Sequence, residues 1–243
     1  APTRAFHPST ASDLMTLSDQ WGLQFPLIQA PMAGAQGSAM AIAVCQAGGL
    51  GSLPCAMLSL EALQSELSAI KAATDRPYNV NFFCHVPPPP NPAAEATWRA
   101  TLHPYFDELG VDSSAIPAGP GRAPFSHEAA DVLETFKPAV VSFHFGLPAP
   151  DLLARVKSWG SSIMASATTL EEAVWLQAQG ANAIIAQGWE AGGHRGIFLN
   201  DDLSTQMGTF ALLPQIVKAV NVPVIAAGGI ADAAGVAAAM ALG

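Results

Sequence analysis

Charge is scarce in this chain: Lys, Arg, Asp and Glu make up only 12% of its 243 residues. Ten residues are Lys or Arg against 19 Asp or Glu, a formal net charge of −9. A nucleic-acid partner needs clustered cations to neutralise phosphates, so that class is excluded. A small anionic substrate is not, because local potential matters more than the total. Cysteine is also sparse. Cys45, Cys55 and Cys84 are odd in number and widely spaced. With no C-x-x-C pair, neither a disulfide framework nor a zinc site is indicated. Free buried thiols in a reducing cytoplasm are the simplest reading. No run reaches the ~18 apolar residues of a membrane helix, and the opening APTRAFHPSTASDLMT lacks the apolar core of a secretory signal. A cytoplasmic protein with no membrane partner is therefore expected. Missing too are G-x-S-x-G and H-E-x-x-H, and Asp201–Asp202 reads as a loop or helix-start pair. Chemistry without a nucleophile motif, metal ligands or a carboxylate dyad points to a cofactor for the difficult step.

What is present is hydrophobic sequence, 50% of residues, punctuated by 21 Gly and 20 Pro. Strand-length apolar runs fall at 27–33, 50–54, 78–83, 139–145, 161–167, 183–187 and 222–227. Helical stretches alternate with them at 36–47, 59–73, 127–136, 150–158, 169–179, 209–220 and 232–242. Ser59 before Glu61, and Thr168–Thr169 before Glu171–Glu172, supply helix-start signals. Near-continuous apolar strands imply burial on both faces, as in parallel sheets. The alternation predicts an α/β protein of the (β/α)8 TIM-barrel type, which typically occupies ~250 residues. Residues 85–126 break the alternation with HVPPPPNP, a helix over 93–109 and a second Pro-Gly-rich loop. They are read as a Pro-rich helical insertion after the third strand. The barrel domain is then 1–84 together with 127–243.

Active sites of such barrels lie at the C-terminal strand ends. That rule selects Pro31–Gly34, Asn81, His144, Gln187–His194 and Gly228–Gly229. AAGGIAD (226–232) puts two glycines between a strand and a helix, where amides meet anions and a missing Cβ admits close approach. AQGWEAGGHRG (186–196) gathers Glu190, His194 and Arg195 with glycines; Arg195 could meet an anion or be solvated. His144, in VVSFHFG (140–146), ends an apolar strand. A buried imidazole stays neutral and can act as a base near pH 7, or can be a core histidine bonded to backbone. His7, His85, His103 and His127 fall in loops or on helix faces and receive no chemistry.

Five segments in order, APMAGAQG (30–37), NVNFF (79–83), VVSFHFGLP (140–148), AQGWEAGGHRG (186–196) and VPVIAAGGIAD (222–232), resemble the nitronate monooxygenase family, formerly the 2-nitropropane dioxygenases. The resemblance runs from about residue 20 to the end. It implies an FMN-dependent TIM barrel with an inserted smaller region. It further implies that Pro31, Met32 and Ala33 lie along the flavin and that Asn81 and Gln187 hydrogen-bond its ring or ribityl chain. Gly192, Gly193, Gly228 and Gly229 would present amides to the FMN phosphate. His144 would be the base beside the flavin, acting on a nitroalkane or steadying a nitronate, and His194 would support flavin and phosphate. The implied reaction oxidises alkyl nitronates with O2 to carbonyl compounds and nitrite.

The family's barrel carries an eighth strand with a further Gly-Thr turn at the FMN phosphate. This sequence stops before it, so a longer natural protein is expected. The Pro87–Pro90 run also departs from the pattern, so contacts of the insertion do not transfer. An FMN-dependent enoyl-acyl-carrier-protein reductase is the alternative, sharing the barrel and an EAGGH-like segment. It would need NAD(P)H and is not expected to carry SFHFG on its fourth strand.

Overall fold

The computed structural model describes residues 16–116 and 122–243; His7 lies outside them. Six parallel strands form one sheet in sequence order: β1 (Gly51–Pro54), β2 (Tyr78–Phe83), β3 (Val140–His144), β4 (Ser162–Ala167), β5 (Ala183–Gln187) and β6 (Val224–Ala227). Helices α1 (Leu17–Trp21), α2 (Ser38–Gln46), α3 (Leu60–Ala73), α4 (Pro92–Leu109), α5 (His127–Phe136), α6 (Pro150–Ser158), α7 (Leu170–Ala178), α8 (Thr209–Ala219) and α9 (Ala233–Ala241) complete the order. The result is an α/β fold whose curled parallel sheet has the form of part of a TIM barrel.

The helix starts follow the capping chemistry of the sequence. Ser59 accepts the Ala62 N–H, Ser126 that of Ala129, and Thr169 that of Glu172. Each satisfies an amide that the first helical turn leaves unpaired. One expected strand is corrected. Residues 27–33 make only a single parallel bridge, Ile28 to Leu50. Pro26 precedes that stretch and Pro31 lies within it; neither has an N–H to donate, so the ladder is interrupted at both.

Strand side chains alternate between two surroundings. Leu53, Val80, Phe82, Val141, Phe143, Ile163 and Ile184 pack against Leu63, Leu67, Leu133, Val156, Leu176 and Ile216 of the helices. That layer is the main core. The opposite, concave face is buried but not wholly apolar: Ser52, Asn79, Asn81, Ser142, Ser166 and Gln187 all lie on it. The apolar strand reading therefore holds for one face and misses the polar lining of the other. Near the N-terminal strand ends, Trp21, Leu50, Val140, Met164 and Ala183 form a second cluster, and Trp21 Nε1 donates to Ser162 Oγ at 3.1 Å. Helix α4 covers the expected 93–109 helix, and none of its residues is buried.

Candidate active site

Asn81, His144, Gln187 and the glycine pairs sit at the C-terminal ends of β2, β3, β5 and β6, on one rim. On the concave face, register places Asn81 opposite Ser142. Asn81 Nδ2 donates to Ser142 Oγ at 2.9 Å, and Ser142 Oγ in turn lies 3.4 Å from the Val80 carbonyl. Two residues further along β3, on the same face, stands His144.

The His144 ring is half-buried and directed at the loop after β5, where Nε2 meets the His194 carbonyl at 3.1 Å. Burial pulls its pKa down to about 4; the His194 carbonyl opposes that by favouring a proton on the facing nitrogen. The imidazole is therefore neutral at pH 7. Phe145 packs on it with ring centroids 4.5 Å apart and takes φ 66°, a left-handed conformation uncommon for a bulky residue. The same aromatic wall gathers two more imidazoles. His85 lies 6.1 Å from both Phe83 and Phe145, and His194 lies 5.3 and 5.9 Å from them. His85 had drawn no role from its place in a Pro-rich loop. Its position two residues past the end of β2 is the available signal.

The loop 188–199 is held by side chains beside it, within it and from α7. Gln187 Nε2 donates to the His194 carbonyl at 2.9 Å and its Oε1 accepts the Gly196 N–H at 2.7 Å. Both ends of the amide that the resemblance gave to the flavin thus meet this turn. Arg195 donates through both terminal nitrogens to the Gly188 carbonyl at 2.8 Å and lies over the Trp189 ring at 5.7 Å. Its guanidinium is tied to its own loop. Glu172, fully buried at the start of α7, accepts from Thr168 N and Oγ1 and from the Phe198 and Leu199 amides. Its sequence position announced only a first-turn acid.

The two glycine loops meet. Glu190 Oε2 accepts the Thr209 N–H at 2.7 Å, while Thr209 Oγ1 lies 3.0 Å from that carboxylate and 2.9 Å from the Gly228 carbonyl. The Thr209 amide holds the Glu190 carboxyl below the usual carboxylate range. The chain's own carboxylate thus occupies the N-terminus of α8, whose cap residue Gly208 has no side chain to serve there. Gly228, at φ 124°, approaches so closely that a Cβ would stand 2.7 Å from the Ala191 nitrogen. Beside Gly192 and Gly193 the space is open. Among the described residues the amides of Gly192, Gly193, Gly228 and Gly229 make no hydrogen bond. Pro31 leads into a turn over residues 32–35, closed by the Ala35 N–H on the Met32 carbonyl at 3.1 Å, with Met32 45% exposed. A separate cavity of about 280 Å³, lined by Cys55, Leu58, Phe82 and Pro124 among others, lies between α3 and α5 on the helical side of the sheet.

The family model for nitronate monooxygenase matches residues 15–243. The chain belongs to the nitronate monooxygenase family. It is 46% identical over 227 residues to a nitronate monooxygenase of Paraburkholderia phytofirmans, covering 91% of this chain and 61% of that relative. The chain thus spans about three fifths of the length of that curated relative. Among solved structures it is similar to a nitroalkane oxidase from Streptomyces ansochromogenes at 36% identity and TM-score 0.79, covering 93% of this chain and 64% of that one. FabK from Thermotoga maritima follows at 28% identity and TM-score 0.69, with coverage of 95% and 59%. No helix of the described residues is long and apolar enough to cross a membrane.

Proposed function

We propose that this chain carries the active site of a cytoplasmic, FMN-dependent enzyme that oxidises alkyl nitronates, and nitroalkanes through them, to carbonyl compounds and nitrite with O2. The observation that carries the reading is a neutral, half-buried imidazole at the strand-end rim, beside two abutting glycine loops. The sheet is read as part of a (β/α)8 barrel, formed by 1–84 and 127–243, with 85–126 as a Pro-rich helical insertion.

The rim fits FMN. The unbonded amides of Gly192, Gly193, Gly228 and Gly229, with open space beside the first two, suit an oxyanion that accepts several N–H groups. The segment Pro31–Met32–Ala33, with Met32 and Ala33 exposed, offers an apolar edge for a flat ring, with Asn81 on β2. FMN, when bound, supplies the two-electron sink and the route to O2. His144 takes the α-proton of a nitroalkane: the C–H bond breaks, an N–H bond forms, and the electron pair passes into the nitro group as a nitronate. Once protonated, the ring donates from Nδ1 to a nitronate oxygen while its Nε2–H stays on the His194 carbonyl. His194, across the aromatic wall, supports the same region.

The test is an absorbance spectrum followed by anaerobic titration with propionate-3-nitronate and, separately, NADH. Bleaching of the flavin by the nitronate alone is expected. Rapid bleaching by NADH would transfer the assignment to an NAD(P)H-dependent flavin reductase of the enoyl-reductase kind. His144→Asn is expected to keep FMN and to slow turnover of neutral nitroalkanes by ~10²–10⁴, the usual share of general base catalysis. A preformed nitronate, which needs no proton removed, should suffer less. Equal loss on both substrates would remove His144 from the base role.

A further inference from the structure

We propose that Gln187 is a positioning residue that sets the tautomer of His144 through the peptide carbonyl of His194, leaving Nδ1 as the basic nitrogen. A carbonyl oxygen can only accept. The ring nitrogen facing it at 3.1 Å, Nε2, must therefore carry the hydrogen. In a neutral imidazole the lone pair then belongs to Nδ1.

This assignment holds only while the carbonyl stays in place, and the His194 carbonyl belongs to an exposed loop with glycines at 192 and 193. Gln187 supplies the fixed point. It ends β5 and is 7% exposed. Its Nε2–H donates to the same carbonyl that His144 uses, at 2.9 Å, and its Oε1 accepts the Gly196 N–H at 2.7 Å. One side-chain amide thus brackets Arg195, gripping the peptide groups on either side with a donor at one end and an acceptor at the other. Only an amide offers both. Glutamate keeps the acceptor alone and methionine keeps neither.

Gly196 completes the arrangement for a steric reason. A Cβ there would lie 2.7 Å from His144 Cε1 and 3.0 Å from Gln187 Oε1, so any side chain would push the ring off the turn. When Nδ1 takes a proton, the Nε2–H bond to the carbonyl remains and strengthens, because the donor is now charged. The catalytic consequence rests on the proposed function, in which His144 is the base; the tautomer itself does not.

The test is a two-bond ¹H–¹⁵N spectrum of the full chain labelled at histidine, above pH 7, with His144 assigned from its absence in His144→Asn. Wild type is expected to show Nε2 protonated and Nδ1 bare. Gln187→Met is expected to show both tautomers in exchange and a His144 midpoint moved up from about 4 toward the ordinary 6.5 as the loop loosens. With FMN bound, its turnover of nitroalkane should fall roughly tenfold to a hundredfold, taking as guide the loss when the partner that orients a metal-bound imidazole is removed. Preformed nitronate should be less affected. A wild-type His144 carrying its proton on Nδ1 would overturn the inference without any variant, which covers a Gln187→Met chain that does not fold. A folded Gln187→Met chain with the wild-type tautomer and midpoint would overturn the role of Gln187. A correct tautomer in an enzyme inert to nitroalkane and nitronate would leave the positioning intact and sink the proposed function instead.

Discussion

Acid should destabilise this protein through His144. His144 stays neutral in the fold down to about pH 4, whereas an unfolded chain protonates it near 6.5. Between those values the unfolded state binds one more proton than the native state. Stability therefore rises with pH across that window, is fully present above 6.5, and is lost as pH falls toward 4. Moving from pH 8 to pH 4.5 covers two of the available units, about 2.6 kcal/mol at 1.36 kcal/mol each with the curvature of titration included. The ring is partly open to water, so about 2 kcal/mol is the working figure. For a chain of this size that corresponds to a fall of roughly 4–8 °C in Tm. The assay is thermal or urea unfolding of wild type and His144→Asn at pH 8 and pH 4.5. Carboxylates contribute equally to both proteins, so the difference between the two acid losses isolates His144. Equal acid losses in the two proteins would refute the burial argument and place the imidazole in free exchange with solvent.

Gly228→Ala forces a side chain onto a residue at φ 124° with a Cβ 2.7 Å from the Ala191 nitrogen; a loss of about 2 kcal/mol or more and weakened FMN retention are expected, read by urea unfolding and flavin fluorescence. Glu172→Ala strips four hydrogen bonds from a fully buried carboxylate and leaves the Thr168, Phe198 and Leu199 amides unpaired. It should cost about 3–5 kcal/mol, and a loss under 1 kcal/mol would mean water replaces the carboxylate. Glu190→Gln removes the negative charge beside Gly229 while keeping an acceptor for the Thr209 amide. FMN should bind a few-fold more tightly at low salt, an effect that shrinks as salt is added; no change in the titration would show that the phosphate lies away from these glycines.

The sequence by itself determined the elements and their order. Strand-length apolar runs, caps at Ser59 and Thr169, and Gly-rich strand ends are local signals written in a few adjacent residues, and six of the seven expected strands form. Family motifs along the chain also mark the strand ends that form the rim. The exception, 27–33, has strand composition, but Pro26 before it and Pro31 within it have no N–H to give a ladder. What only the tertiary structure decided are relations between distant residues. Gln187 engages the turn at 194–196 rather than open space, Glu190 serves the start of a helix 19 positions away, Glu172 anchors a loop 26 positions on, and His85 joins His144 across two phenylalanines. An amide or a carboxylate announces its capacity to bond but not its partner. The partner is set by which strand ends the parallel sheet brings side by side, and that is a property of packing, not of neighbouring residues.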